Sequence, residues 1–137
     1  MEILFLCVAN SARSQMAEGI ARSIFKNKVN VQSAGSKPST VNPLAIMALQ
    51  EIGIDISNQK SKSVETIKGK IDYVITLCAE EVCPVFLGAA KKIHWPFPDP
   101  ADVNENSEAK LNSFREVRDG IKKKITEFAN QLNLLQP

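Results

Sequence analysis

A chain of 137 residues is long enough for one hydrophobic core and too short for two, so a single domain spanning 1–137 is expected. Seventeen basic and 15 acidic residues leave a formal charge of +2, and no basic stripe interleaved with aromatics speaks for nucleic acid. No apolar run approaches the roughly 20 residues of a membrane span and no cleavable signal opens the chain, which argues against a membrane partner and for a cytoplasmic protein.

The first element is the short apolar run 3–6, Ile-Leu-Phe-Leu, which reads as a strand buried on both faces. Behind it, Met16, Ala17, Ile20, Ala21, Ile24 and Phe25 recur at helical spacing. Between strand and helix lies Cys7-Val8-Ala9-Asn10-Ser11-Ala12-Arg13-Ser14. A loop so placed turns its backbone N–H groups and the positive end of the helix dipole toward whatever sits above Cys7, which suits a tetrahedral anion. A thiol at a helix N-terminus beside a fixed positive charge titrates at roughly 3.5–7.5 instead of about 8.5, so a thiolate is expected. Arg13 supplies that charge and a planar fork for two substrate oxygens, and Ser14 can donate a hydrogen bond to the sulfur. The alternative, a small apolar core cysteine ending a strand, leaves the Arg-Ser pair unexplained.

Residues 29–33 form the second strand, ending at the turn Ala34-Gly35. Asn42-Pro43 caps a helix carrying Leu44, Ile46, Met47, Leu49 and Ile52, with Gly53 as its stop, and residues 63–68 form a short helical segment. Tyr73-Val74-Ile75-Thr76-Leu77 is β-type, with Cys78 at its C-terminal end and Cys83 five residues on, before Pro84. A fourth strand covers Lys91-Lys92-Ile93, followed by His94 and Trp95. Leu111, Phe114, Val117, Ile121, Ile125, Phe128 and Leu132 mark a long closing helix. Alternating strands and helices predict a parallel sheet with right-handed crossovers, whose functional crevice lies at the carboxyl ends of the strands. The lysines at 60, 62, 68 and 70 and at 122–124 read mainly as solvated faces.

Three cysteines remain to be explained, in a compartment where thiols do chemistry more often than they hold structural disulfides. Together with His94 they make four potential zinc ligands, but the spacing lacks the paired knuckles of structural zinc sites, so no metal is expected and His94 reads as a hydrogen-bonding or packing residue. If residues 79–82 form straight α-helix, the Cα atoms of Cys78 and Cys83 stand roughly 8–9 Å apart. A disulfide tolerates at most about 7 Å, so bridging them would require that segment to rearrange. In the proline-rich stretch 95–102, Asp99 sits between two prolines that hold it to few directions, which suits an acid protonating a departing oxygen. Asp102 reads as an ordinary turn residue.

The spacing Cys, two residues, Asn, two residues, Arg, Ser resembles the phosphate loop of the low-molecular-weight protein tyrosine phosphatases and of the arsenate reductases that share their fold. The likeness continues through Gln15-Met16-Ala17-Glu18-Gly19, Ser33-Ala34-Gly35, Gly53-Ile54-Asp55-Ile56-Ser57 and residues 95–100, and covers essentially the whole chain. It implies an α/β three-layer sandwich with a four-stranded parallel sheet in the order 2-1-3-4, flanked by helices. It also implies that residues 8–14 bind the oxyanion, that Asn10 holds the loop open and that Asp99 is the general acid of an Asp-Pro pair. Ala9 stands where many members carry glycine. In that fold the strands ending at Cys7 and Cys78 are neighbours, about 5 Å apart.

The pair Cys78 and Cys83 resembles that of the thioredoxin-coupled arsenate reductases, whereas a phosphatase needs neither. The resemblance implies that Cys7 attacks arsenate, that Cys78 and Cys83 carry the oxidation outward as a disulfide, and that thioredoxin restores the thiols, with no cofactor. Other members use glutathione and glutaredoxin, or mycothiol. The alternatives are a phosphomonoesterase using Cys7, Arg13 and Asp99, and an oxyanion-binding module without catalysis. Some relatives bind a monovalent cation near the loop. Asn10, Glu18 and Ser33 match that set, but Lys62 stands where its aspartate would be, so its ammonium is expected to replace the ion.

Overall fold

The computed structural model describes residues 1–79, 83–86, 88–102 and 106–132. Strands β1 (Glu2–Cys7), β2 (Asn30–Gly35), β3 (Tyr73–Thr76) and β4 (Lys91–His94) are accompanied by helices α1 (Arg13–Phe25), α2 (Pro43–Gln50) and α3 (Ser107–Gln131). The sheet is parallel throughout, in the order β2-β1-β3-β4, as the resemblance implied. Cys7 lies opposite Gly35, and Leu6 opposite Thr76.

Side chains alternate across the sheet. Ile3, Phe5 and Ile75 join Met16, Ile20 and Phe25 of α1, Leu49 of α2 and Phe114, Ile121 and Ile125 of α3 in one core. Leu4, Leu6 and Val74 face the other way, where Val64, Ile67, Phe86 and Ala90 cover them. Among the described residues that second layer is built from extended chain and a 3-10 turn, Val64–Thr66, rather than from α-helix. The connection from β2 to β3 first runs through α2 on the α1 side and only afterwards, at Val64–Thr66, covers the opposite face. The edge strand β4 is short and exposes Lys91 and Lys92, which discourages pairing with another chain.

Local signals account for the ends of the elements. Asn42 caps α2 by accepting from the Leu44 N–H at 2.9 Å, with Pro43 in the first turn. α2 closes at Gln50, slightly earlier than its apolar pattern suggested, and Gly53 adopts φ of +79° in the turn beyond. α3 is capped by Asn106, whose side chain accepts from the Ala109 N–H at 2.9 Å. α1 has no side-chain cap from its N-cap position, where Ala12 stands.

β2 runs through the expected Ala34-Gly35 turn to Gly35 itself. A Cβ there would overlap the Val8 carbonyl oxygen and stand 2.8 Å from both the Asn10 nitrogen and the Cys7 oxygen. Glycine is what lets the strand pass directly beneath the loop that follows Cys7. No helix among the described residues is long and apolar enough to cross a membrane.

Candidate active site

β1 delivers Cys7 to the carboxyl end of the sheet, and α1 begins six residues later with its N-terminus facing the same point. A cavity of about 140 Å³ opens there, lined by Cys7, Ala9, Ser11, Ala12, Arg13, Ser39, Asp99 and Ala101. It is well below the roughly 300–1,000 Å³ of pockets that take drug-sized ligands, and suits a small ion. Cys7 is 2 % exposed and Arg13 4 % exposed, so an anion that reaches them leaves most of its water behind.

The Cys7 Sγ lies 2.8 Å from the Ser14 Oγ. Asn10 donates from Nδ2 to that hydroxyl at 2.7 Å and to the Ser33 hydroxyl at 3.0 Å. Ser33 in turn donates to Glu18 Oε1 at 2.6 Å. Asn10 has a φ of 48°, the left-handed region that non-glycine residues rarely occupy, and its fully buried side chain is what holds it there. Ala9, at the position where relatives favour glycine, is no obstacle, because the positive φ falls on Asn10 instead.

Glu18 is buried at the far end of this chain of bonds. Arg22 meets it at 3.0 Å and the Lys62 ammonium at 3.6 Å, which places Lys62 where the sequence expected a substitute for a cation. Lys60, Lys68 and Lys70 are exposed, as are the lysines at 122–124.

Arg13 donates from Nη1 to the Phe97 carbonyl at 2.9 Å, tying α1 to the segment that carries Asp99. The Asp99 Oδ1 accepts from the Ala101 N–H at 3.0 Å, and the carboxylate borders the cavity above Cys7. Asp102 ends a short 3-10 turn, Pro100–Asp102.

Cys78 is wholly buried just beyond β3, and Leu77 before it continues the pairing with β1 by donating to the Leu6 carbonyl at 2.9 Å. Burial and a hydrogen bond with the Cys83 thiol push the Cys78 thiol far above its ordinary range, with Cys7 adding to the effect and Arg13 opposing it. Cys7 and Cys83 thus both lie within electrostatic reach of Cys78, and all three are free thiols. Cys83 is the partly exposed one. Residues 80–82 lie outside the described residues, and Ala79 forms a bend. The straight helix over residues 79–82, and the rearrangement that bridging Cys78 and Cys83 would then require, fall on this stretch outside the described residues.

The single histidine, His94, is exposed, with Nδ1 2.7 Å from the Thr76 hydroxyl. No group of three His, Cys, Asp or Glu side chains gathers as metal ligands would among the described residues.

The family pattern described as low molecular weight phosphotyrosine protein phosphatase matches residues 2–135. This chain belongs to that family. Within it, the chain is 45% identical over 130 residues to an arsenate reductase of Halalkalibacterium halodurans, covering 93% of this chain and 94% of that one. An arsenate reductase of Bacillus subtilis is 44% identical, with the same coverage of both chains. Among solved structures, an arsenate reductase in its reduced state superposes with a TM-score of 0.78 at 34% identity, covering 96% of this chain and 98% of that chain. A thioredoxin-dependent arsenate reductase of Corynebacterium glutamicum superposes with a TM-score of 0.73 at 28% identity, over 98% of this chain and 63% of that one.

Membership of the family puts the loop of residues 7–14 in a known structural frame, but several residues that shape it carried no separate signal in the sequence. Gln15 donates from Nε2 to the Asn10 oxygen and Oδ1 at 3.0 and 2.9 Å. Ser61 donates to the Ala9 carbonyl at 2.9 Å, and Gln59 donates to Gln15 Oε1 at 2.7 Å. Ser39 and Ala101 complete the cavity wall.

Proposed function

We propose that this protein reduces arsenate to arsenite with three cysteines and that thioredoxin regenerates it. The observation that carries the reading is the buried Cys78, set directly beyond β3 where that strand pairs with β1, the strand that ends at Cys7. The likeness to arsenate reductases over nearly the full chain supports it.

The loop of residues 8–14 and Arg13 receive the oxyanion. The Cys7 thiolate attacks arsenic, forming an S–As bond, while Asp99 gives its proton to the oxygen that leaves as water. Cys78 then gives up its thiol proton to water as it attacks the Cys7 sulfur. An S–S bond forms, the S–As bond breaks, and its electron pair stays on arsenic, which departs as arsenite. Cys83 attacks the Cys78 sulfur and Cys7 leaves as a thiolate, so the oxidation ends on the 78–83 pair. The dithiol of thioredoxin takes it from there, and Cys83, the partly exposed member, is where it arrives.

A phosphatase reading has its own support. Cys7, Arg13 and Asp99 all border one cavity, which is the complete set for phosphomonoester hydrolysis through a cysteinyl phosphate. Against phosphotyrosine as its substrate, the only tyrosine is engaged elsewhere: Tyr73 meets Phe128 edge to face at 5.1 Å, in the core under α3.

The two readings separate in one experiment. Arsenite formation with thioredoxin and hydrolysis of para-nitrophenyl phosphate are measured for wild type and for Cys78→Ser. Arsenate turnover in wild type, lost in Cys78→Ser while hydrolysis persists, is the expected result. Wild type that hydrolyses the ester but forms no arsenite with an ample supply of reduced thioredoxin is a phosphatase instead.

A further inference from the structure

For backbone N–H groups to line an anion cradle, the carbonyls of the same peptide units must point away from it, because a trans peptide sets C=O and N–H in opposite directions. Each carbonyl from Val8 to Ala12 accepts a hydrogen bond. Lys37 N–H donates to the Val8 oxygen at 2.9 Å, Ser39 N–H to that of Ala9 at 3.1 Å, Asn42 N–H to that of Ser11 at 2.9 Å and Met16 N–H to that of Ala12 at 2.9 Å. Ala9 has a second donor in Ser61. The carbonyl of Asn10 is different. It is held by a side chain, the Gln15 amide at 3.0 Å, at the residue whose own φ of 48° is the least favourable in the loop.

Gln15 is fully buried and its orientation is determined by its partners. Its Oε1 accepts from Gln59, so Nε2 is the end that faces Asn10 and the Lys60 carbonyl, the latter at 3.0 Å. Gln59 also donates to the Gln15 backbone oxygen at 3.0 Å. The amide therefore has acceptors on one side and a donor on the other, with no freedom to flip.

We propose that Gln15 is a positioning residue for the anion cradle: it turns the Asn10 carbonyl away from the cavity and so aims the Ser11 N–H at the bound oxyanion. The inference rests on the reading of residues 8–14 as an anion site. Gln15 touches neither substrate nor Cys7. Losing its donor frees the Asn10–Ser11 peptide to rotate, and a carbonyl dipole facing the cavity repels an anion where an N–H attracted it.

The test measures how strongly arsenate, and separately inorganic phosphate, protects Cys7 from iodoacetamide, read on the Cys7 peptide by mass spectrometry. In Gln15→Met, which keeps the length and loses the donor, about tenfold more anion is needed for half protection. Gln15→Glu, which sets a carboxylate against three carbonyl-type oxygens, loses more. Ser61→Ala changes the requirement by no more than about twofold, because the Ser39 N–H still holds the Ala9 carbonyl. A folded Gln15→Met with wild-type protection overturns the proposal. If neither Gln15 variant folds, Gln59→Leu, which frees the Gln15 amide to turn, carries the test: a weaker response in the same direction is expected, and an unchanged one overturns it. Wild type that no anion protects overturns the anion-site reading and this inference together, whereas protection in wild type that is unaltered in the variants overturns this inference alone.

Discussion

The Lys62 ammonium stands 3.6 Å from Glu18 Oε1, the same oxygen that accepts the Ser33 hydroxyl in the chain leading through Asn10 to Ser14 and Cys7. A cation is thereby built into the protein at the end of the network that shapes the loop. Glu18 is buried, and Arg22 is its other cationic partner.

Reaction rates should accordingly be the same in sodium and potassium chloride at equal ionic strength. Replacing the ammonium by Lys62→Gln should cost about 1 kcal/mol, a fall of roughly 3–5 °C in melting temperature, partly restored by potassium. Thermal melts in the two salts decide it. A strong potassium preference in wild type would contradict the assignment.

Glu51 joins α2 to α3 through Arg115 at 2.6 Å and Arg118 at 2.8 Å. The hydrogen bond from Arg115 leads the effects that hold its carboxyl at about 2, against an ordinary value of 4.5. A carboxylate whose pKa is lowered by folding stabilises the fold above its unfolded value and loses that contribution as the pH falls through its folded one. Wild type should therefore melt above Glu51→Gln at neutral pH, with the gap closing between about 4.5 and about 2. Because the group is solvent-exposed, high salt should narrow the gap as well.

The buried Cys78 thiol holds its proton past the pH at which an unfolded chain, with an ordinary value of 9.0, releases it. Stability from this source is full below about 9 and declines as the pH rises further, so the alkaline limb of a stability profile should be flatter in Cys78→Ser than in wild type. In native protein without substrate, Cys78 should also be the slowest of the three thiols to react with iodoacetamide at pH 7.5. Peptide mapping after brief alkylation measures this, and equal labelling of all three would show that the burial of Cys78 does not persist in solution.

Gly35→Ala should be among the most damaging small substitutions. The new methyl group would meet only backbone atoms, of Val8, Asn10 and Cys7, none of which can rotate aside. A loss of about 1–3 kcal/mol in urea denaturation is expected, accompanied by a larger fall in activity than that destabilisation explains, since the atoms displaced are those of the loop itself. Gly53→Ala is the control: its φ of +79° penalises a side chain but nothing lies near it, so a loss of about 1 kcal/mol with full activity is expected.

Much of the site was legible because its chemistry is local. Cys7, Arg13 and Ser14 lie on one short segment between a strand and a helix, where periodicity places both elements and the loop has little choice of direction. Asp99 was legible through the prolines that flank it, and Cys78 through its position directly after a β-type run. The second layer of the sandwich was less so: residues 63–68 carry a helical hint that closes only as the 3-10 turn Val64–Thr66, and Phe86 and Ala90, distant in sequence, share the cover of that face with Val64 and Ile67.

Sequence alone determined which residues are candidates for the chemistry: a possible nucleophile, a guanidinium and an acid are recognisable by type and by immediate neighbours. Folding decided what holds them. The bonds from Gln59 to Gln15 and from Ser61 and Lys62 to the loop span 44 and 52 residues. Such pairings have no periodic or compositional trace, because a hydrogen bond between distant segments depends on how the sheet closes and not on what either segment contains.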